Sequence, residues 1–333
     1  MAAPSAKHSV RSVLRALSVL ICLSLSLCYL LRPDAFAAVT VWPAWLWTAP
    51  GLVLLAFGCA CGKWRQVLAV TLLWVAYTLV FSDEPVALLH RRMPEAQWKA
   101  ANREGRAIRA VSLNCSGGSV EAAREVAAQR PDVVLLQETP GRTEVTAIAR
   151  SLFGKDAGVA WGPDCSIIAR ATVEQVPLPR NLRGVCTEAR VVLRRGLEAE
   201  VFSIRLQPPI FRLDIWSSAN WRAQRELRIV HRAELRRVAQ RIRRLSPGVA
   251  IIAGGDFNAP AGDGALTPFR PRLRDTFRDA GVGWGDTVLN DTPVLRFDQV
   301  WASEELSPVS VTAVRTLNSD HRMVVCDLVL HKR

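Results

Sequence analysis

The sequence lacks any C-x-x-C pair, although it contains eight cysteines. Cysteine-based zinc sites normally use such pairs, so these cysteines do not indicate one. Four lie in apolar segments and are expected to be inert small hydrophobes: Cys22, Cys28, Cys59 and Cys61. The other four lie in the polar part: Cys115, Cys165, Cys186 and Cys326. If strands over 165–175 and 186–194 form one hairpin, Cys165 and Cys186 fall at opposite ends of the ladder, which argues against a disulfide.

Lysine is scarce in the second part of the chain. From residue 101 onward, only two of the 34 basic residues are Lys, and 26 residues are Asp or Glu. The formal net charge of the whole chain is +13. A basic domain favours polyanions such as nucleic acid, anionic lipid headgroups or phosphate esters. A drift of composition toward arginine explains the same charge, so charge alone identifies no partner.

Charged residues are also scarce in the first 82 positions, where three apolar runs occur. Each run is near the ~20 residues that cross a hydrocarbon core. The runs predict membrane-spanning helices at about 12–31, 41–61 and 66–82. Three tryptophans cluster at the start of the second run, as in the aromatic belt of a membrane interface. The predicted organisation is a membrane anchor over 1–85, a linker over 86–105 and a polar domain over 106–333.

The basic residues that flank the apolar runs predict their orientation. The N-terminal segment is basic, and so is the second loop with Lys63 and Arg65, whereas Asp83 and Glu84 follow the third run. The positive-inside rule then places the N-terminus in the cytoplasm and the polar domain on the non-cytoplasmic side. Alternatively, the first run is a signal peptide cleaved at residues 35–37. The polar domain would still lie outside.

Strands and helices alternate from about residue 106 onward, which predicts an α/β domain. The predicted strands are 107–113, 132–136, 166–170, 186–193, 198–206, 249–253, 297–302, 309–314 and 322–330. The predicted helices are 120–130, one ending near Leu152, 219–245 and 271–280. The helix over 219–245 carries nine arginines between 222 and 244. They form either a solvated face or a phosphate-facing surface.

Polar residues recur where the apolar strands of this domain begin or end. They are Asn114, Glu138, Asp256 with Asn258, Asp298, and Asp320 with His321. Strand ends on one side of a sheet converge on a common edge, where loops build binding sites. Taken singly, each stretch also fits an ordinary turn or helix cap. Their joint occurrence at strand ends indicates a site for phosphate chemistry.

The residue types suggest distinct roles at such a site. Glu138 and Asp320 offer hard oxygen ligands for an ion such as Mg²⁺. His321 is the best candidate for a general base, and Asp298 could accept its Nδ1 proton and orient the ring. Asp256 could orient the attacking water or protonate the leaving oxygen. Asn114 and Asn258 could bind phosphate oxygens.

The whole pattern resembles the endonuclease/exonuclease/phosphatase superfamily, over about residues 106–330. The resemblance lies in Asn114, in Glu138 of LLQE, in GDFNAP with Asp256 and Asn258, in Asp298 of FDQVW, and in Asp320 and His321 of SDHRMVV. It implies a four-layer α/β sandwich in which two mixed sheets pack face to face with helices outside. It also implies Mg²⁺- or Mn²⁺-dependent hydrolysis of phosphoesters by in-line attack of water, which makes 106–333 a catalytic domain.

One position departs from the family pattern. Many members carry a His in a middle strand, and here the matching residue is Arg205. Arginine cannot donate a proton near neutral pH, but it could neutralise charge on a phosphoryl group.

The leading hypothesis is a membrane-anchored phosphodiesterase or nuclease that meets the bilayer through its N-terminal helices. Alternatives are a phospholipid or other phosphoester hydrolase, or a catalytically degenerate phosphate-binding protein. A lipid enzyme needs an apolar rim beside the site, for which Trp161, Trp284 and Trp301 are candidates. No protein partner can be inferred.

Overall fold

The computed structural model describes residues 6–59, 63–91, 93–193, 198–209, 212 and 214–331. The chain divides into two compact units. The first consists of the residues up to Val86 together with Arg212–Arg225, and the second of Ala87–Phe211 and Glu226–Arg333. The sequence-based boundaries assign 212–225 to the polar domain, whereas its contacts group it with the apolar helices.

The first unit contains two helices that are long and apolar enough to cross a membrane, Val10–Leu31 and Trp64–Phe81. A third span is possible only as a broken one, because Asp34–Thr40 and Ala44–Phe57 are bent by 74° against each other. The helices of this unit are α1 (Ala6–Leu31), α2 (Ala37–Thr40), α3 (Ala44–Phe57) and α4 (Trp64–Phe81). The short helix α5 (Glu84–Ala87) follows.

A buried tryptophan joins three of these helices. Trp74 in α4 is fully buried, and its indole Nε1 donates to Ser18 Oγ of α1 at 3.0 Å. Ser18 in turn donates to the carbonyl of Gly51 in α3 at 3.0 Å. A Cβ at position 51 would lie 2.0 Å from the Trp74 ring. Glycine therefore allows the close helix approach that packing between apolar helices requires.

The second unit is built on two six-stranded mixed sheets. The first has the order β11-β12-β1-β2-β4-β3, and only β1 and β2 run parallel. Its strands are β1 (Ala107–Asn114), β2 (Val133–Gln137), β3 (Ala157–Trp161), β4 (Cys165–Arg170), β11 (Leu306–Val314) and β12 (Met323–Leu330). The second has the order β5-β6-β7-β8-β10-β9, and only β7 and β8 run parallel. Its strands are β5 (Thr172–Gln175), β6 (Cys186–Val192), β7 (Glu198–Arg205), β8 (Ala250–Asp256), β9 (Arg274–Asp275) and β10 (Asp298–Ala302).

Three hydrophobic clusters define four layers. The central cluster joins the inner faces of both sheets, for example Leu135 and Ile167 with Val201 and Ile252. A second cluster packs helices on the outside of the first sheet, and a third does so on the second sheet. Among the described residues, four helices lie in this unit's sequence: α6 (Glu95–Arg103), α7 (Val120–Glu125), α8 (Arg142–Phe153) and α10 (Thr276–Ala280). A fifth, α9 (Ser218–Ile242), begins in the segment assigned to the first unit and continues into this one. The predicted four-layer α/β sandwich is confirmed.

Some local predictions were wrong. Strands β4 and β6 do not form one hairpin, because β4 pairs with β2 and β3, whereas β6 pairs with β5 and β7 in the other sheet. Cys165 and Cys186 therefore lie on different sheets, and both are free thiols. The predicted helix over 271–280 is helical only over Thr276–Ala280, since Arg274 and Asp275 pair with β10. Helix α6 lies within the predicted linker.

Candidate active site

The ends of β1 and β2 deliver the first polar residues of the site. These strands are parallel, with Asn114 opposite Gln137, so both chains leave the sheet at the same edge. Glu138 follows directly and has a φ of 44°, in the left-handed region that few residues other than glycine adopt. This turn separates the carboxylate of Glu138 from the buried Gln137. Such strained backbone is often found at functional sites.

The second sheet delivers three further residues to its own edge. Arg205 ends β7 opposite Asp256 at the end of β8, and Asp298 begins β10 on the other side of Asp256. Gly255 has a φ of 149°, and a Cβ there would lie 1.9 Å from the Ile204 carbonyl oxygen. Only glycine fits this close approach of β7 and β8. Gly255 thus lies within β8 and sets the position of Asp256 at the end of that strand.

Amide side chains surround the carboxylate of Asp256. Asn114 Nδ2 donates to Asp256 Oδ2 at 3.0 Å, which links the edges of the two sheets. The backbone N–H and the Nδ2 group of Asn258 also donate to Asp256, each at 3.0 Å. Asn258 Nδ2 donates in addition to the Leu206 carbonyl at 2.8 Å. All three polar side chains are buried, so this network holds them in one arrangement.

A histidine–aspartate pair lies next to this network. His321 Nδ1 donates to Asp298 Oδ2 at 2.7 Å. Ser319 Oγ accepts from the His321 backbone N–H at 3.0 Å and donates to the Asn114 carbonyl at 2.7 Å. The other oxygen of Asp298, Oδ1, is buried and has no hydrogen-bond partner among the described residues. Buried polar atoms are normally paired, so Oδ1 is available to a bound group.

Electrostatic coupling shifts the pKa values of this cluster. Burial disfavours the charged ring of His321, but Asp298, Asp256 and Asp320 outweigh burial and raise its pKa to about 10. Burial and the charge of Asp298 raise the pKa of Asp256 to about 6, although His321 and hydrogen bonds from Asn258 and Asn114 oppose that rise. At neutral pH the imidazole therefore carries a proton, and Asp256 is mostly ionised with a pKa near the operating pH.

Glu138 and Arg205 form a salt bridge at the rim of the site. The Nη2 atom of Arg205 donates to Glu138 Oε1 at 2.8 Å, and its Nη1 atom donates to Asp164 Oδ2 at 2.9 Å. Glu138 also accepts from Asn114 Nδ2 at 3.2 Å and from the Gly117 backbone N–H at 2.5 Å. Burial raises the pKa of Glu138, but Gly117, Asn114 and Arg205 outweigh burial and leave that pKa below its ordinary value.

Most of the residues that the sequence singles out come together here. Asn114 bonds to both Glu138 and Asp256, and the ligand atoms of Asp256, Asp298 and His321 lie within 4.8 Å of one another. In the described part of the chain, these last three are the one group of His, Cys, Asp or Glu residues close enough to hold a metal ion jointly. Asp320 is not in that group. Its side chain is exposed, and its carbonyl accepts from the Asn290 N–H at 2.9 Å.

The chemistry of the donor set fits a hard divalent cation. Carboxylate oxygens are the ligands that Mg²⁺ and related ions prefer, and Asp256, Asp298 and Glu138 supply them on connected elements. The partnerless Oδ1 atom of Asp298 is one such oxygen. An acidic cluster with a histidine that could hold a divalent metal is therefore present.

Of the tryptophans proposed as an apolar rim, Trp301 is not at the surface. It is buried in the outer cluster of the second sheet, and its Nε1 donates to Gln299. Trp161 and Trp284 are partly buried, and their Nε1 atoms donate to the carbonyls of Pro140 and Pro293. A rim role for these two residues stays a prediction.

Two exposed leucines lie on segments beside His321. Leu317 is 86% exposed and Leu289 is 55% exposed. Val288 pairs with His321, and the side chain of Asn290 bonds to the backbone of Thr316, so the segments that carry the two leucines are joined next to His321. Both exposed leucines thus lie on segments that adjoin His321, and neither was singled out from the sequence.

Two polar participants were missed from the sequence. Asp164 lies in the turn between β3 and β4, where an aspartate after Gly-Pro is an ordinary turn residue. Ser319 bonds to the nearby His321 N–H, but its bond to the Asn114 carbonyl joins residues 205 positions apart, which no local pattern shows.

Comparisons with known structures agree with the fold. A structure of an endonuclease/exonuclease/phosphatase family protein from Bacteroides thetaiotaomicron aligns with a TM-score of 0.54 at 13% identity, covering 68% of this chain and 95% of that chain. TDP2 of C. elegans aligns with a TM-score of 0.52 at 17% identity, covering 71% and 80%. A mannosyl-6-phosphatase of Bacteroides thetaiotaomicron aligns with a TM-score of 0.52 at 13% identity, covering 67% and 100%. At these identities the likeness shows the fold.

No curated protein gives a significant match to the sequence. A family model does match, over residues 111–321, which is more than half of the chain and includes every residue of the site described above. The chain belongs to the Endonuclease/Exonuclease/phosphatase family.

Proposed function

We propose that the chain is a membrane-anchored, metal-dependent phosphoester hydrolase of the phosphodiesterase or nuclease type. One observation carries the proposal: Asp256, Asp298 and His321 meet within 4.8 Å at an edge where Asn114 and Asn258 also lie. This arrangement combines a candidate base, a protonated donor and neutral amide donors, which are the groups that hydrolysis of a phosphate ester needs.

The proposed cofactor is Mg²⁺ or Mn²⁺, held by oxygen ligands at this edge. Glu138 and Asp320 are the ligands proposed from the sequence, and the position of Glu138 beside Asn114 supports its assignment. The exposed side chain of Asp320 would complete the site only from the loop before β12. A divalent cation bound here supplies positive charge that stabilises the phosphoryl group in the transition state.

The proton-transfer roles are proposed as follows. The sequence-based hypothesis made His321 the general base, with Asp298 as its orienting partner. Because the charge and hydrogen bond of Asp298 favour the protonated ring, His321 is better suited to donate to a phosphoryl oxygen from Nε2. Asp256 is buried, ionised near neutral pH and close to His321, which suits it to orient water and accept its proton.

The phosphate ligands are proposed from the donors at the same edge. Asn114 and Asn258 each present an Nδ2 group there, and both groups already donate to the carboxylate of Asp256. A phosphoryl oxygen bound beside Asp256 can share these amide donors, which are neutral and add no charge of their own. Arg205 adds a positive charge at the rim, where it can balance the charge of the phosphate.

Localisation is proposed from the apolar helices and their flanking charges. The helices Val10–Leu31 and Trp64–Phe81 are long enough to anchor the chain in a bilayer as a multi-pass protein. The flanking basic residues favour the catalytic domain on the non-cytoplasmic side. A C-terminal alkaline phosphatase or green fluorescent protein fusion tests this side, since only the former is active outside the cytoplasm. A fluorescent and phosphatase-negative fusion would contradict it.

Two exposed sets of side chains favour two different substrate classes. Six of the nine arginines between 222 and 244 are exposed, which favours nucleic acid. The exposed Leu289 and Leu317 beside His321 favour a phospholipid as the second candidate, because an apolar rim can contact acyl chains. Steep loss of binding with salt is expected for nucleic acid and not for a lipid held by apolar contacts.

The first test is hydrolysis of bis-p-nitrophenyl phosphate by the full chain in detergent micelles. The assay is run with Mg²⁺, with Mn²⁺ and with EDTA, beside His321→Ala. We expect turnover that requires the metal and is lost in the variant. Metal-independent turnover would contradict the cofactor. Absence of turnover on this diester and on a panel of monoesters, nucleic acids and phospholipids would favour the degenerate phosphate-binding alternative.

A further inference from the structure

Arg205 binds the carboxylate that the family pattern assigns to metal. Its Nη2 atom donates to Glu138 Oε1 at 2.8 Å, and its Nη1 atom donates to Asp164 Oδ2 at 2.9 Å. The guanidinium thus joins two carboxylates, one on each side. About a fifth of the Arg205 side chain is exposed, and Glu138 and Asp164 are similarly shielded, at 26% and 29%. A charge pair with this limited access to water is screened less than one on the open surface.

The buried part of Arg205 restricts where its charged end can go. Its Nε atom is buried without a hydrogen-bond partner among the described residues. The Asp256 carboxylate lies close enough to Arg205 to favour the charged form of the guanidinium. The guanidinium therefore remains at the edge of the site, because leaving it would separate a partly buried cation from three acidic groups. A neutral histidine at this position, as in many relatives, would not place a permanent positive charge there.

Glu138 Oε1 cannot bind the Arg205 guanidinium and a divalent cation equally well. Glu138 Oε1 already accepts from Arg205 and Asn114, and Oε2 accepts from the Gly117 N–H. A divalent cation approaching Oε1 meets the positive charge of Arg205 and must displace its Nη2 group. Asp164 still holds Nη1 after that displacement, so the guanidinium can swing toward the phosphate side while it stays attached.

We infer that Arg205 is a resident counter-ion of Glu138 that competes with the divalent cation for this carboxylate and weakens cation binding. Asp164 retains the arginine while the carboxylate changes partners. The inference rests on the proposed role of Glu138 as a metal ligand. Because Arg205 competes for Glu138, occupancy of the metal site should depend more on cation concentration in this chain than in relatives with histidine at the corresponding position.

The test measures binding of Mn²⁺ to the full chain in detergent micelles, by electron paramagnetic resonance of the free ion. The variants are Arg205→Gln, Arg205→Lys, Glu138→Gln and the control Arg190→Gln. Arg190 also pairs with a carboxylate, Glu174 at 3.3 Å, but between the edge strand β5 and its neighbour β6 in the second sheet. Arg190→Gln therefore removes the same net charge from a more exposed ion pair at another place. Thermal unfolding checks that each variant is folded.

We expect Arg205→Gln to bind Mn²⁺ about tenfold to a hundredfold more tightly than the unmodified chain, the range expected for one charged hydrogen bond. Arg190→Gln should leave the affinity unchanged. Arg205→Lys keeps the charge but cannot bridge both carboxylates, so it should bind with intermediate affinity. It also decides the question if Arg205→Gln does not fold.

Two results would overturn different parts of the argument. If Glu138→Gln loses the site but Arg205→Gln and Arg205→Lys bind Mn²⁺ no more tightly than the unmodified chain, the competition is refuted and the metal role of Glu138 stands. If Glu138→Gln binds Mn²⁺ as the unmodified chain does, the proposed metal role of Glu138 fails, and the inference fails with it.

Discussion

The two oxygens of Asp298 differ in their surroundings. Oδ2 accepts from His321 Nδ1 at 2.7 Å, whereas Oδ1 is buried and has no partner among the described residues. Asp298 itself is held by its place at the start of β10, opposite Asp256, and by a bond from its N–H to Thr287 Oγ1 at 3.1 Å. The pair thus fixes one ring nitrogen of His321 and leaves an unsatisfied carboxylate oxygen beside it.

Removal of either member of this pair should abolish most turnover. We expect His321→Ala to lower kcat by about 10²- to 10⁴-fold, because it removes the proposed proton donor to the phosphate. Asp298→Asn should lower kcat as well, since the neutral amide no longer favours the protonated ring. His331→Ala is the control, because the ring of this exposed histidine bonds to Ser307, which is not one of the residues of the site. Turnover near the unmodified level in His321→Ala would refute the assignment.

The pH dependence of turnover should distinguish the two candidate bases. If Asp256 accepts the proton, the rate rises with pH through its pKa of about 6. It then falls as His321 loses its proton around its pKa of about 10. If His321 were the base, the rate would instead keep rising toward pH 10. The measurement is the pH profile of kcat/KM with a diester whose leaving group does not titrate in this range.

The stability of the second sheet should depend on pH through Glu200. Burial and the charge of Glu188 raise the pKa of Glu200 to about 7, although Arg190 and Arg241 oppose this rise. Its pKa in the unfolded chain is lower, so the folded state holds the proton more tightly. The stabilising contribution is complete below the unfolded pKa and is lost as pH rises through about 7.

Glu200→Gln tests this dependence because glutamine resembles the protonated acid. The variant should unfold at a higher temperature than the unmodified chain at pH 8 and at a similar temperature at pH 4.5. The measurement is thermal unfolding of the full chain in detergent at several pH values. A constant difference between the two proteins across this range would show that Glu200 does not titrate there.

Gly255 should tolerate no side chain. Its φ of 149° and the 1.9 Å distance from a built Cβ to the Ile204 carbonyl oxygen mean that alanine must push β7 away from β8. We expect Gly255→Ala to lower the free energy of unfolding by roughly 2–4 kcal/mol and to reduce turnover, because Asp256 shifts with the strand. Gly184→Ala is the control, since a Cβ there meets no atom within 4 Å. Equal unfolding temperatures for the two variants would contradict this account.

The exposed leucines should matter for a lipid substrate only. Leu317→Ser and Leu289→Ser should raise KM for phospholipid vesicles several-fold and leave hydrolysis of bis-p-nitrophenyl phosphate unchanged, because the small diester does not reach an apolar rim. Val192→Ser is the control, because Val192 is an exposed apolar residue on β6 in the second sheet. If the vesicle assay does not respond to either leucine, the lipid alternative loses its structural support.

Nine of the twelve strands in the described part of the chain could be predicted from the sequence, because each of them is a short, mostly apolar run bounded by turn residues. Strands β3, β5 and β9 were not predicted. The residues of the site could be proposed because they lie in short motifs, such as Gly255 and Asp256 in GDFN, whose chemistry is local. The second apolar run shows the limit of this approach. Composition predicts a span over 41–61, but the helix covers only Ala44–Phe57. Pro43 precedes its first residue and Pro50 lies inside it.

The sequence by itself determined the family, the α/β sandwich and most of the polar residues at the strand ends, because apolar periodicity and short motifs are local properties. Only the tertiary structure decided which partner each side chain has. Cys165 and Cys186 fall on different sheets, and Arg205 meets Asp164 and Glu138, because sheet pairing joins residues far apart in the chain. The pKa values of Asp256 and His321 could likewise not be predicted from the sequence, because they depend on burial and on charges that several strands bring together.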